Sequence, residues 1–286
     1  QSVFEHIEGR LVQSLKEFHN VNNLCISGGA AQNSVANSKS LENGLYNNVF
    51  VPGCVTDAGT SIGAAFYVYH HVLNNERKFV MKNDYWGPEF SNHEILKIIE
   101  LFKLDHEKLT NIPNIVSDLL IEDKIVGLFQ GRMEFGERAL GNRSILANPK
   151  NPAMKDLINK YVKFREEFRP FAPSILKEHQ HEYFVCDHPV PFMSHVFDII
   201  PEKCAEIPAV AHVDGTGRLQ TVDKDSNELY YDIIKRFYEK TGTPVVLNTS
   251  FNVAGEPIVC TPENAIRTFY QCGMDCLVIG NYLIRK

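Results

Sequence analysis

Asn23-Leu24-Cys25-Ile26-Ser27-Gly28-Gly29 sets an apolar run of strand length directly against a paired-glycine turn, and small residues follow to Ser40. The same order returns at Val49-Phe50-Val51-Pro52, which leads through Thr56-Asp57-Ala58-Gly59-Thr60 into an apolar helix reaching about Val72. Ahead of both, Phe4, Ile7, Leu11, Leu15 and Phe18 fall at steps of three and four, predicting an amphipathic helix over 3–19. Helix, strand, glycine turn, helix, strand, glycine turn, helix is α/β order. Ligand is expected where the glycine turns meet the carboxyl ends of the strands.

Residues 73–92 are polar and broken, as a linker between domains would be. Beyond them two helix-like stretches, 92–103 and 113–121, precede the strand Ile125–Phe129, which runs straight into Gln130-Gly131-Arg132. Further strands are expected at Val210–Val213, Val245–Leu247 and Cys276–Ile279, and helices over 153–162, 226–241 and 262–271. The last helix carries a Thr261 cap with Pro262 at its first position.

The chain has 286 residues, 44% hydrophobic and 22% charged, a composition that excludes fibrous, collagenous and disordered classes. That length suits one large or two medium domains and needs no disulfide or metal staple. Acids outnumber bases 35 to 29, and the resulting −6 argues against a general nucleic-acid coat or anionic-membrane binder. No signal peptide or transmembrane run is visible, and seven scattered cysteines without a C-x-x-C pair read as reduced thiols of a cytoplasmic protein. A first residue other than Met, entering a helix at once, suggests a piece of a longer protein.

Arg132, Arg138, Arg143, Arg165 and Arg169 are five of eleven arginines, gathered within 38 positions with Lys155, Lys160 and Lys163 among them. Glycines and phenylalanines interleave them, whereas a solvated helix face normally mixes Lys with Glu. Guanidinium groups on glycine turns suit two-pronged capture of phosphate or carboxylate, so an anion site is expected here. The other motifs admit two readings each. Ser27-Gly28-Gly29 with Asn33 serves a phosphate or merely a tight turn, and Asp57 caps a helix or holds a metal. His212–Thr221 and Asn248-Thr249-Ser250-Phe251-Asn252 contact phosphate and ribose or simply close loops. The group His179, His181, Cys186 and His188 matches no zinc spacing.

Taken in order, these motifs make the chain resemble the C-terminal portion of the NodU/CmcH carbamoyltransferases. The pieces are Ser-Gly-Gly…Asn at 27–33, Asp-Ala-Gly-Thr…Gly-Ala-Ala at 57–65, and the fifteen residues Gln130–Ser144. To them add Lys-x-Arg-Glu-x-x-Arg-Pro-Phe-Ala-Pro at 163–173, His-x-Asp-Gly-Thr-x-Arg-x-Gln at 212–220 and Asn-Thr-Ser-Phe-Asn at 248–252. Glu137 departs from the family's usual Pro, and Ala30-Ala31-Gln32 fills the first loop atypically. The resemblance implies an α/β fold: part of an actin/sugar-kinase-like subdomain over 1–85, a linker over 86–104, and a YrdC-like domain with a twisted mixed sheet over 105–286.

What the resemblance implies for activity is an ATP-dependent O-carbamoyltransferase. The YrdC-like part would make carbamoyl-adenylate from carbamoyl phosphate and ATP, with Mg2+. The kinase-like part would pass the carbamoyl group to a hydroxyl-bearing small-molecule acceptor, beside an iron-type divalent metal (Fe2+). By the same resemblance Lys163, Arg169 and Arg218 act on the anionic substrates. Arg132, Arg138, Arg143, Asn248, Ser250 and Asn252 line the same groove, Gly28, Gly29 and Asn33 contact nucleotide, and Asp57 is a metal ligand. The family's H-x-x-x-H ligands are absent, and one aspartate does not hold a catalytic metal, so the transfer step is expected to be missing from this chain. Oligomeric state stays open, a homodimer included. Competing readings are an RNA- or nucleotide-binding module without transfer activity, which −6 and the scarcity of interleaved aromatics disfavour, and a scaffold that has lost its chemistry.

Overall fold

A computed structural model describes residues 1–286 as two α/β units. The first contains α1 (Ser2–Phe18), β1 (Asn23–Cys25), α2 (Ser34–Glu42), β2 (Asn48–Phe50) and α3 (Gly59–Tyr67), which widens into a π turn over Val68–Val72. Strands β1 and β2 pair in parallel, as two strands joined through a helix must. Gly28 lies at φ 105°, a conformation that favours glycine, and its N–H closes onto Val55 O at 2.7 Å.

The second unit runs α4 (Asn92–Leu101), β3 (Glu107–Lys108), α5 (Ile112–Ile121), β4 (Val126–Phe129), β5 (Arg143–Ala147), α6 (Met154–Leu157), β6 (Ala172–Leu176) and α7 (Gln180–Tyr183). It continues through β7 (Val196–Asp198), α8 (Pro201–Cys204), β8 (Thr216–Arg218), β9 (Gln220–Val222), α9 (Glu228–Thr241), β10 (Val245–Ser250), α10 (Pro262–Gln271), β11 (Cys276–Ile279) and β12 (Tyr282–Arg285). Eight strands form one mixed sheet in the order β3-β12-β11-β4-β5-β10-β6-β9, parallel only at β4/β11 and β6/β9.

Alternation along these strands builds two cores from one sheet. Ile145, Leu247, Leu277 and Ile284 face a layer holding Ile95 and Ile99 of α4 and Ala265 and Phe269 of α10. Their neighbours Leu146, Val246, Val278 and Leu283 face α5 and α9 through Val116, Leu120, Ile233 and Phe237. Both sides being covered, the central strands read as continuous apolar runs.

Four differences from the sequence expectation have physical causes. Residues 86–104, expected as a linker, include α4, whose Ile95 and Ile99 are buried in the main core. Val210–Val213 is not a strand: Val210 is buried, but the chain then turns through an exposed Val213 and Gly215 at φ 79°, and pairing starts only at Thr216. The helix expected over 153–162 is α for four residues and then a π turn over Ile158–Lys163 that ends at Phe164 in the left-handed region. Strands β3, β5 to β9 and β12 were not expected; β5 starts inside the arginine motif, and β6 contains Pro173, one residue before its pairing with β9 begins at Ser174.

The two units meet through buried polar contacts. The Ser38 hydroxyl donates to Val196 O at 2.6 Å and accepts from Val196 N at 2.7 Å, while Asn37 Nδ2 donates to Ser194 O at 2.8 Å. Ser38→Ala is expected to leave both Val196 groups unpaired and to cost about 1–3 kcal/mol. Denaturant unfolding should show the loss, and hydrogen exchange should rise first at 194–196; unchanged exchange there would show that Ser38 does not hold the units together.

Candidate anion-binding active site

At the junction lies a cavity of about 480 Å³. Ser34 and Val35 of α2 wall one side, and residues 137–139 after β4, 169–172 leading into β6, and Asn248–Ser250 at the end of β10 form much of the remainder. Three guanidinium groups enter it, from Arg138, Arg165 and Arg218, with Arg169 at an exposed margin. The single carboxylate in its lining is Glu137.

The local chain explains how such cations are held. Leaving the π turn, Arg165 N bonds Asn159 O at 3.1 Å, and Asn159 Oδ1 accepts from Arg165 Nε at 2.7 Å. The Asn159 amide donates to Glu167 O and Arg169 O, so one buried side chain shapes the whole 159–169 loop. The Arg165 guanidinium also lies 4.9 Å from the Phe171 ring centre. Below the cavity, Asn248 Nδ2 donates to Ala139 O, Ser174 Oγ and Gln220 Oε1, and Gln220 Nε2 donates to Leu140 O.

No ion pair in the protein involves Arg138 or Arg218. Arg218 Nε is buried without any partner. Burial pushes Arg218 down to about 9, and the charges of Arg138 and Arg165 add to the shift. Arg165 falls to about 10 through burial and then the Arg169 charge, and burial lowers Arg138 against the pull of Glu137. By contrast, a surface groove near Lys177 neutralises its own charge through the Lys177–Asp223 pair at 2.5 Å. The junction cavity therefore holds guanidinium charge that no ion pair neutralises at Arg138 or Arg218, an arrangement suited to an anion.

Of the residues expected from sequence, Arg138, Arg169, Arg218, Asn248 and Ser250 converge on the cavity. Lys163 does not line it. Its buried ammonium is bound by Ser250 O, by Ser250 Oγ at 3.2 Å, and by Asn252 O and Oδ1 at 3.0 and 2.8 Å. In this position Lys163 and Asn252 fix the loop that presents Ser250. Arg143 is fully buried, 3.6 Å from the Phe129 ring centre, and donates to Gln130 O and Asn142 O; it braces the 130–143 loop and is not a groove residue. Arg132 is exposed and donates to Trp86 O. Gly28, Gly29 and Asn33 stop short of the cavity: Asn33 caps α2 by accepting from Ala36 N, and the next two residues line the wall. Asp57 sits in an exposed turn, and no group of three or more His, Cys, Asp or Glu side chains is placed to hold a metal. These residues do not fit a metal ion, and no step is routed through one.

Arg165, one of the clustered arginines, and His212, at the head of the 212–221 motif, were not named as site residues from sequence, and both line the cavity. The signal for Arg165 was its membership of the arginine cluster at 132–169. Glu134 was missed altogether. Its buried Oε1 accepts from the backbone N–H groups of Leu140, Asn142 and Arg143, folding the motif onto itself.

The fold and cavity define an α/β protein whose two units enclose a cavity lined by Arg138, Arg165 and Arg218. Residues 117–286 match the model described as Carbamoyltransferase C-terminus and residues 1–66 that described as Carbamoyltransferase N-terminus. The chain belongs to the carbamoyltransferase family. It is 39% identical to nodulation protein NolO of Bradyrhizobium diazoefficiens over all of this chain and 53% of NolO. It is 40% identical to uncharacterized proteins of Synechocystis and Methanocaldococcus jannaschii, again over all of this chain, covering 51% and 55% of theirs. The chain thus spans about half the length of the curated relatives it matches. Two solved structures overlap loosely at a TM-score of 0.43. Full-length HypF in a phosphate- and nucleotide-bound form is 17% identical, over 62% of this chain and 26% of HypF, and P. abyssi Sua5 complexed with L-threonine is 16% identical, over 59% and 46%. No helix is long and apolar enough to cross a membrane.

Two predictions follow from the charges. Arg218→Met, which removes an unpaired guanidinium, should leave the ligand-free protein as stable or about 1 kcal/mol more stable, while abolishing the stabilisation conferred by inorganic phosphate. Thermal unfolding with and without phosphate measures both; a large loss of ligand-free stability with phosphate binding intact would make Arg218 structural. Lys163 is pushed down to about 7 from an ordinary 10.5, first by burial and then by the Arg165 charge. Between those values the unfolded chain holds a proton that the folded chain lacks. The Lys163 contribution to stability therefore rises as pH climbs through that window. Denaturation of wild type and Lys163→Met across pH 7 to 10 should show this slope in their difference, and parallel curves would contradict it.

Proposed function

We propose that the junction cavity binds carbamoyl phosphate together with the phosphates of ATP, supplied with Mg2+, and forms carbamoyl-adenylate. The observation that carries this reading is the trio of Arg138, Arg165 and Arg218 in a half-buried cavity with no carboxylate pairing Arg138 or Arg218. Two polyanions repel each other, and fixed guanidinium groups in a water-poor cavity offset that repulsion without reorganising. The chemistry balances with one water. Water releases phosphate and carbamate from carbamoyl phosphate, a carbamate oxygen attacks the α-phosphorus of ATP, and pyrophosphate leaves.

In this reading Arg218 and Arg138 hold phosphoryl oxygens, Arg165 carries the charge inward, and Arg169 meets the incoming anion at the margin. Ser250 shapes the wall from a loop that Lys163 and Asn252 keep rigid. Transfer of the carbamoyl group to an acceptor hydroxyl is the step that family membership adds to this reading; it is not assigned to this chain, which presents no side-chain cluster for the metal expected beside that step.

Pyrophosphate release from ATP that depends on carbamoyl phosphate tests the proposal. Arg218→Ala and Arg138→Ala should each lower kcat/KM by about 10²–10³, with a smaller loss in Arg169→Ala because its exposed guanidinium is already shared with Glu166 at 3.7 Å. Lys163→Ala should lower it as well, through the loop it anchors. Undiminished release in folded Arg218→Ala and Lys163→Ala would remove the site assignment.

A further inference from the structure

The cavity's guanidinium groups are donors only, so they bind the phosphoryl end of a ligand and say nothing about its other end. The sole imidazole in the lining belongs to His212, and the lining's one carboxylate, Glu137, already takes the Thr56 hydroxyl and attracts Arg138. Its Nδ1 lies 3.0 Å from Thr216 Oγ1, and the Thr216 hydroxyl lies 2.7 Å from Asp214 Oδ1. A carboxylate can only accept, so the one Thr216 proton goes to Asp214, and Thr216 Oγ1 must accept from His212 Nδ1–H. The chain of bonds fixes the tautomer and leaves Nε2 a bare acceptor.

That acceptor has no protein partner. Asn248 Oδ1 is unpartnered too, but it is sealed from solvent, whereas Nε2 is not. Ser250 Oγ already donates to Asn252 and accepts from Lys163. Burial lowers His212, Asp214 opposes the shift, and Arg218 and Lys155 add to it, so the ring stays neutral and keeps its lone pair near pH 7.

We propose that His212 is the specificity residue that reads the amino group of the carbamoyl ligand, Nε2 accepting an N–H while the arginines hold the phosphate. The inference rests on the carbamoyl-phosphate reading above. Acetyl phosphate is the natural probe, since it keeps the phosphate and carbonyl and puts CH3 where carbamoyl phosphate has NH2. One hydrogen bond to a neutral acceptor should favour carbamoyl over acetyl phosphate by about five- to tenfold.

The experiment measures the affinity of the whole chain for each ligand from its shift of the thermal unfolding temperature. Wild type should show the preference. His212→Gln, whose amide oxygen can stand near the Nε2 position, should keep most of it. His212→Asn, which retains only the donor toward Thr216, should lose it. Thr216→Val removes the hydroxyl that fixes the tautomer without altering the ring, and should weaken the preference even if His212→Asn folds poorly. Equal binding of the two ligands by wild type, or an undiminished preference in folded His212→Asn, would overturn the inference. Binding of neither ligand by wild type would instead remove the carbamoyl-phosphate reading, and this inference with it.

Discussion

Mutual repulsion among Arg138, Arg165 and Arg218 is the constraint around which the second unit is organised. Like charges placed together in a partly dry cavity push their own carriers apart unless the backbone beneath is fixed. An amide and a carboxylate set outside the cavity do most of that fixing. Asn159 ties the loop carrying Arg165 and Arg169, and Glu134 ties the loop carrying Arg138 by taking three of its backbone N–H groups on one oxygen. Arg218 stands at the end of β8, where pairing with β7 and the neighbouring β9 leave the backbone little freedom. One carboxylate, Glu137, lies in the lining and attracts Arg138, and it forms no ion pair there. Scaffolding by groups outside the lining keeps the positive potential available.

The same logic explains why two cations that look catalytic in sequence are structural in three dimensions. Arg143 has its guanidinium against Phe129 and backbone carbonyls, so its charge is spent on holding the loop and contributes little at the cavity. Lys163 is surrounded by oxygens of Ser250 and Asn252, which stiffens the position of Ser250. A glycine-rich loop bearing several arginines needs internal struts, because glycines lower its own rigidity. Some of the arginines serve as those struts, which spacing alone does not reveal.

The α/β order, the boundaries of α1, α4, α5, α9 and α10, and the strands at β4, β10 and β11 were legible because apolar periodicity, caps and breakers coincide there. Strands β5 and β6 were not, since Arg143 and Pro173 contradict the local strand pattern and only pairing with β10 on both flanks makes them strands. For the site, composition located the anion-binding region and motif order supplied Arg138, Arg169, Arg218, Asn248 and Ser250. Depth was the missing variable. Nothing in residue spacing tells that Arg143 is fully buried while Arg169 is exposed, or that Lys163 turns away from the cavity while Arg165, two residues on, turns into it.

Closure of the cavity by α2 ties its geometry to the docking of the two units. Ser34 and Val35 face the arginines, and one turn later Asn37 and Ser38 grip the backbone at 194–196. Residues three and four apart share a helix face, so a rotation of α2 that freed Ser38 would also withdraw the wall at Ser34. Met193 and Val196, on the docked segment, line the cavity as well. The Thr56 hydroxyl donates to Glu137, the sole carboxylate beside the arginines, from a turn of the first unit. Both units therefore set the shape and the charge of the anion site, and the first unit cannot shift without altering the field that the second has been built to hold.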